Sequence, residues 1–242
     1  MNKTLKRIND VFLILITCLI AFLFCLDVKY VQGSNFEGSW TEFDYTFYKT
    51  ISQEVSEEGA GTWKFFTTIV SKEFLIIALC LVLVIFGTLM ILKKIKRSKE
   101  NWIDILYPFG CALISSGLIS EVLLKNIFKR TRPDLTWLVH VNGYSFPSGH
   151  TTCSVVFYWL LGDVLSHLVK KFERRHGEKK KTIVLLRTLL YIYRIVALLI
   201  PFAVGFSRIY LGVHYATDVF AGFLVGCFMY LISTKIYRII IK

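Results

Sequence analysis

Three short blocks carry the residue types that can hold a phosphate group and break a bond to it. The first is Lys125, six residues, then Arg132-Pro133. The second is Pro147-Ser148-Gly149-His150. The third is Ser207-Arg208, five residues, His214, three residues and Asp218. A phosphate monoester is strongly anionic and its transition state spreads charge over the equatorial oxygens, so catalysis is mostly positioning and electrostatic stabilisation. Lys125, Arg132 and Arg208 suit that work, and arginine adds a planar fork that matches phosphate oxygens in pairs.

Ser148 and Gly149 precede the apolar run TTCSVVFYWLLGDVL, which predicts a helix. Their backbone N–H groups would then point from a helix N-terminus at an anion, and Pro147 suits the entry to that helix. Of the five histidines, His176 falls in a basic loop, His167 near the inner end of a span, and His140 outside the block pattern. His150 and His214 remain as candidates for nucleophile and proton donor. His214 and Asp218 are four apart, which predicts a shared helix face on which Asp218 orients the imidazole so that its other nitrogen can attack.

Each block alone is a weak signal, since Pro-Ser-Gly is also an ordinary turn and His-Asp an ordinary cap pair. Together, in this order, they resemble the signature of the type 2 phosphatidic acid phosphatase superfamily, the lipid phosphate phosphatases, whose pocket is shared with vanadium-dependent haloperoxidases. The resemblance covers Lys125 to Asp218. It implies that His214 attacks phosphorus and forms a phospho-histidine, that Asp218 orients it, and that His150 protonates the leaving oxygen. It assigns Lys125, Arg132, Ser148, Gly149 and Arg208 to the phosphate cradle. It implies no metal and no other cofactor.

The elements that must position these residues are membrane helices. The chain has 242 residues, 55% of them hydrophobic, and a mean hydropathy of +0.56, too apolar for an ordinary soluble domain. The sequence predicts an all-α polytopic membrane protein, residues 1–242 forming one embedded domain. Spans are expected at about 11–30, 74–92, 103–124, 151–169, 184–204 and 218–234. The first is read as a retained helix, because no small-residue cleavage site follows it. Pro108 near the start of the third predicts a bend or a staggered entry. Between the first two spans, the segment 27–73 holds eight acids against four lysines and many aromatics, which predicts one or two amphipathic helices at the membrane surface. A lid role and a packing connector are both open for it. The motif loops are expected at 125–150 and 205–217.

The net charge of +12 sits mostly in short runs between apolar stretches, at the N-terminus, 93–100, 170–187 and the C-terminus. That distribution argues against nucleic acid and predicts both ends in the cytoplasm of a cell membrane, with the acidic segment and the motif loops on the outer face. The cations that break the charge rule are Lys125, Lys129, Arg130, Arg132, Arg194 and Arg208, and three of those belong to the blocks. Glu121, one turn before Lys125, is expected to pair with it. Asp163 and Arg194 lie 12 and 11 residues in from the outer ends of their spans, about 16–18 Å down, and are expected to pair across the two helices because a lone charge there is costly. The six cysteines, all in apolar stretches, predict no disulfide and no zinc site.

The expected function is a lipid phosphatase drawing a phosphorylated lipid from the bilayer, with no obligate protein partner evident. Phosphatidylglycerol phosphate, phosphatidic acid and polyprenyl diphosphate all fit. A lipid phosphotransferase would share every motif. An anion channel or transporter would put charge in the middle of spans, and a haloperoxidase would share the pocket without the membrane.

Overall fold

The computed structural model describes residues 3–34, 40–52, 54–92, 99–135, 137–176 and 180–241. All regular structure in them is helical: α1 (Lys3–Gln32), α2 (Glu42–Ser52), α3 (Glu57–Thr68), α4 (Lys72–Ile91), α5 (Lys99–Leu113), a π-helical continuation (Ile114–Leu124), α6 (Lys125–Phe128), α7 (Gly149–His176), α8 (Lys180–Tyr210) and α9 (Ala216–Ile240). Among the described residues, six stretches are long and apolar enough to cross a membrane: Val11–Gln32, Lys72–Leu89, Trp102–Phe128, Gly149–Arg175, Lys181–Tyr210 and Ala216–Ile240. The count matches the hydropathy reading, and most of the helices run beyond the expected ends. Lys125, Gly149, His150 and Arg208 therefore sit on helix ends, where the sequence placed them in loops. Helix ends hold a side chain more rigidly than loops do.

Helix α7 is the hub. It packs against α8, α9, α5 and the π-helical stretch, while α1 lies along α9. Half of α7's apolar window is buried, against 6% for α1, so α1 presents an almost wholly apolar surface outward, as a lipid-facing helix does. Leu75, Phe109, Ala112, Cys153 and Phe157 tie α4, α5 and α7 into one cluster. All six cysteines are free thiols.

The third span is one helix in three registers. From Ile114 to Leu124 its hydrogen bonds run five residues back, a wider turn that is rare and concentrates at functional sites. Pro108 lies inside the α-helical part before it. Three buried serines stabilise the change: Ser115 donates to Cys111 O at 2.7 Å, Ser116 to Ala112 O at 2.9 Å and Ser120 to Ser115 O at 3.1 Å. Ser120 also lies 3.2 Å from the Thr152 hydroxyl, fixing this turn to α7.

The segment between the first two spans, where the sequence predicts one or two helices, holds α2 and α3. They pack on α9 and α8. Ser56 caps α3 by accepting the Gly59 N–H at 3.1 Å. Tyr210, at the end of α8, donates to Glu54 O and accepts the Ser56 N–H, each at 2.9 Å.

The expected pair between the fourth and fifth spans is present. Arg194 Nη2 donates to Asp163 Oδ1 at 3.1 Å and to the Ser166 hydroxyl at 2.7 Å. The other Asp163 oxygen accepts from Thr234 at 2.9 Å and Tyr230 at 3.2 Å, which brings α9 into the same contact.

Candidate active site

A cavity of 200 Å³ opens among the ends of the third span, α7, α8 and the loops beside them. Its lining includes Lys125, Arg132, Gly149, His150, Arg208 and His214, so six of the eight residues singled out by sequence converge on it. Lys125 is almost fully buried, and its Nζ reaches both oxygens of Glu121 at 2.8 and 3.0 Å, the expected pair. Arg208 is held by the Thr67 hydroxyl of α3, and its Nε is buried without a partner. A buried donor left unpaired carries a desolvation cost that an incoming anion would remove. Among the described residues, no group of three or more His, Cys, Asp or Glu could hold a metal ion.

Gly149 starts α7. A Cβ there would lie 2.5 Å from Glu121 Oε1, so a larger residue would push aside the carboxylate that pairs with Lys125. Ser148 differs from expectation. Its N–H donates to the Asp218 carbonyl at 2.9 Å, so that amide holds α7 to α9 and is not turned to an anion. Its hydroxyl oxygen accepts from Thr151 at 3.0 Å.

His214 is not on a helix. It lies in the turn between α8 and α9, where Gly212 takes a φ of 76°, a left-handed conformation that glycine adopts without strain. Asp218 sits in the first turn of α9, where a carboxylate is favoured by the helix dipole. The turn brings the two together without a shared helix face. His214 Nδ1 lies 3.2 Å from Asp218 Oδ2, and that oxygen also accepts the Tyr215 N–H at 2.9 Å and the Ser145 hydroxyl.

The tautomer follows from the other ring nitrogen. Arg132 Nη1 is 3.3 Å from His214 Nε2, and a guanidinium can only donate. Nε2 therefore accepts and keeps a lone pair, and Nδ1 carries the hydrogen toward Asp218. Arg132 itself is fixed to the backbone of Gly143, Val213 and Asn142, at 3.0, 2.7 and 3.1 Å. With His214, that engages four of its five N–H groups. Burial, then Arg132, Lys125, Arg208 and Arg130, hold His214 well below its ordinary value of 6.5, so the neutral ring is the resting form.

Sequence reasoning missed the residues behind Asp218. Arg130 Nη1 donates to Asp218 Oδ1 at 2.7 Å and Nη2 to Asp44 Oδ2 at 2.7 Å. The three side chains are 5%, 0% and 0% exposed. Burial alone would lower the Arg130 value, but Asp218 and Asp44 outweigh it and raise it. Arg130 appeared only as a cation on the wrong side of the charge rule, and Asp44 only as one acid among eight. His140, set aside in the sequence, is exposed.

The arrangement offers a neutral imidazole whose Nε2 lone pair faces Arg132, a second imidazole, and Lys125, Arg132 and Arg208 around one small cavity. Comparison with known proteins agrees with that chemistry. Phosphatidylglycerophosphatase B of Bacillus subtilis is 35% identical over 113 residues, 47% of this chain and 48% of that one. The Arabidopsis thaliana protein named "Probable lipid phosphate phosphatase 4" is 39% identical over 88 residues, 36% of this chain and 25% of that one. The matched stretch thus spans at most about half the length of these relatives. The crystal structure of a transmembrane PAP2-type phosphatidylglycerolphosphate phosphatase from Bacillus subtilis has the same fold, with a TM-score of 0.63 at 22% identity over 92% of this chain and 96% of that one. The PAP2 superfamily profile matches residues 105–241, more than half of the sequence, and the chain belongs to that superfamily.

Proposed function

We propose that this chain is an integral membrane lipid phosphatase, one embedded domain over residues 1–242, that removes phosphate from a lipid head group at the extracytoplasmic face. Its substrates are a phosphomonoester or diphosphate such as phosphatidylglycerol phosphate, phosphatidic acid or polyprenyl diphosphate. The observation that carries the reading is the His214 ring, with Nδ1 on Asp218 and Nε2 facing an arginine that can only donate. Nε2 attacks phosphorus while the bond to the lipid oxygen breaks and His150 gives that oxygen a proton. The lipid alcohol, or the shortened phosphate, leaves. Water then attacks the phospho-histidine, His150 takes its proton, the P–N bond breaks and inorganic phosphate departs. Lys125, Arg132, Arg208, Gly149 and the Ser148 hydroxyl hold the phosphoryl oxygens through both steps.

The face and the cellular location rest on charge: both ends and the segments 93–100 and 170–187 are basic, which favours the cytoplasm for them and the outer side of the cell membrane for the cavity. The test is phosphate release by detergent-purified protein from a panel of the three lipids and a soluble monoester, with chelator present and His214→Ala beside the wild type. Release that favours one lipid, survives chelation and disappears in the variant is the expected result. A His214→Ala protein as active as the wild type would overturn the assignment, and absence of release from folded wild type would overturn hydrolysis.

A further inference from the structure

We infer that Arg130 and Asp44 are positioning residues, and that through them helix α2 sets the orientation and charge of the Asp218–His214 pair. This rests on the proposed role of His214. Arg130 falls among the six spacer residues of the first block, to which no role was assigned, and Asp44 and α2 lie outside all three blocks and outside the stretch matched by the family profile.

The geometry is a chain of fixed contacts. Thr41 begins α2, its hydroxyl accepting the Asp44 N–H at 3.1 Å and donating to Asp44 Oδ2 at 2.9 Å. Asp44 then caps a helix other than its own. Its Oδ1 accepts the Thr217 N–H at 2.9 Å, in the first turn of α9, and its Oδ2 accepts the Thr217 hydroxyl at 2.8 Å. Arg130 bridges Asp44 and Asp218, also donates to the Thr217 hydroxyl at 2.7 Å, and lies 3.8 Å over the Tyr215 ring. Trp40, just before α2, packs edge-on against that ring at 4.8 Å. One guanidinium thus holds Asp44, Thr217 and the Asp218 carboxylate together, packed over an aromatic face.

The charges explain why two carboxylates are needed. Paired with Asp218 alone, Arg130 would cancel the negative charge that His214 needs beside Nδ1. Asp44 takes half of the guanidinium fork, so Asp218 keeps charge to offer the imidazole. His214 is faced by Asp218 from α9, Arg130 and Arg132 from the loop after α6, Lys125 from α6, Arg208 from α8 and His150 from α7. Behind it, Asp44 from α2 pairs with Arg130, and Asp27 from α1 interacts with Asp218, Asp44 and Arg130. Removing the Asp44 charge leaves a net cation behind Asp218 and disfavours protonated His214. Removing the Arg130 charge does the opposite.

These opposite signs make the test. The full chain in detergent is labelled with ¹³C-histidine, and the His214 signal, identified by its loss in His214→Ala, is titrated by NMR. The midpoint is expected to fall in Asp44→Asn, rise in Arg130→Gln and return toward wild type in the double variant. The kcat for phosphate release falls roughly tenfold to a hundredfold in both single variants, the usual cost of slightly misplacing a reacting group, with KM little changed. Should Arg130→Gln not fold, Asp44→Asn against Asp44→Glu decides, with only Asn moving the midpoint. A His214 midpoint unmoved in folded Asp44→Asn, or moved the same way in both single variants, overturns the inference. Wild type that releases no phosphate would sink the functional reading alone, because the titration is read without turnover.

Discussion

Two Asp–Arg contacts in this molecule use the same side chains for different work. Near the cavity, Arg130 meets Asp218 and Asp44 at 2.7 Å each. Farther along α7 and α8, Arg194 meets Asp163 at 3.1 Å. The first contact is dry, with no side chain more than 5% exposed, whereas the Arg194 side chain is 46% exposed. The larger difference is what the carboxylate does with its second oxygen. Asp218 turns it to His214; Asp163 turns it to two hydroxyls of α9. An ion pair in a helix bundle is therefore no sign of function by itself. It becomes one when a carboxylate oxygen is shared with a group that reacts.

The comparison breaks first at the carboxylates. Asp218→Asn is expected to lower kcat roughly 10³–10⁴-fold, as for other imidazoles that lose the carboxylate fixing their tautomer. Asp163→Asn is expected to leave kcat within about threefold, since it touches no reacting group, and to show its effect in unfolding. Measuring both rates on the same lipid settles it, and equal losses would erase the distinction. A tenfold loss of kcat in folded Asp163→Asn would mean that the deeper pair also reports to the cavity.

Acidity sharpens the difference further. His214 is held well below 6.5, by burial and then by Arg132, Lys125, Arg208 and Arg130. The proposed nucleophile is therefore neutral at and somewhat below that pH, and the acid limb of kcat/KM from this group should fall below 6.5. A limb at or above 6.5 assigned to His214 would show that the surrounding cations do not control it. Stability follows the same sign. In the unfolded chain His214 takes a proton near its ordinary value, while in the folded chain it resists, so folding weakens as pH drops from about 6.5 toward the lowered folded value. His214→Phe should flatten that part of the unfolding profile.

The two contacts were not equally legible. Asp163 and Arg194 could be paired from sequence because each is a lone charge in an apolar span, and equal depth leaves few partners. The spans and the three blocks were legible for similar reasons: hydropathy marks a membrane helix, and cations beside histidines at fixed spacing mark phosphate chemistry. Arg130 and Asp44 lie in polar segments full of charge, 86 residues apart, where no local rule selects a partner. A trace was present. Thr41-Glu-Phe-Asp44 reads as a helix cap with an acid at its third position, which marks the start of α2, though not the direction in which Asp44 points. The π-helical turn from Ile114 to Leu124 left no trace, because its serines and leucines also suit an ordinary span. His214 was placed on a helix because a spacing of four fits one, yet the turn at Gly212 achieves the same contact.

The mildest change tests the same idea at single hydroxyls. Thr234→Val removes one donor from Asp163 Oδ2 and leaves Tyr230 and Arg194 in place, so it should cost about 0.6–1 kcal/mol in unfolding, typical of one hydrogen bond between membrane helices, and nothing in kcat. Thr217→Val removes a hydroxyl that accepts from Arg130 and donates to Asp44. Both charges there are nearly dry and keep each other as partners, so the stability cost should be similar, about 1 kcal/mol. The rates should differ. The Thr217 hydroxyl is one of the contacts that divide the guanidinium between Asp44 and Asp218, so its loss should lower kcat by a few-fold while Thr234→Val leaves it unchanged. If the two variants lose equal stability and neither loses rate, the Arg130 cluster is as purely structural as the Asp163 pair, and the positioning role ascribed to Arg130 and Asp44 falls with that result.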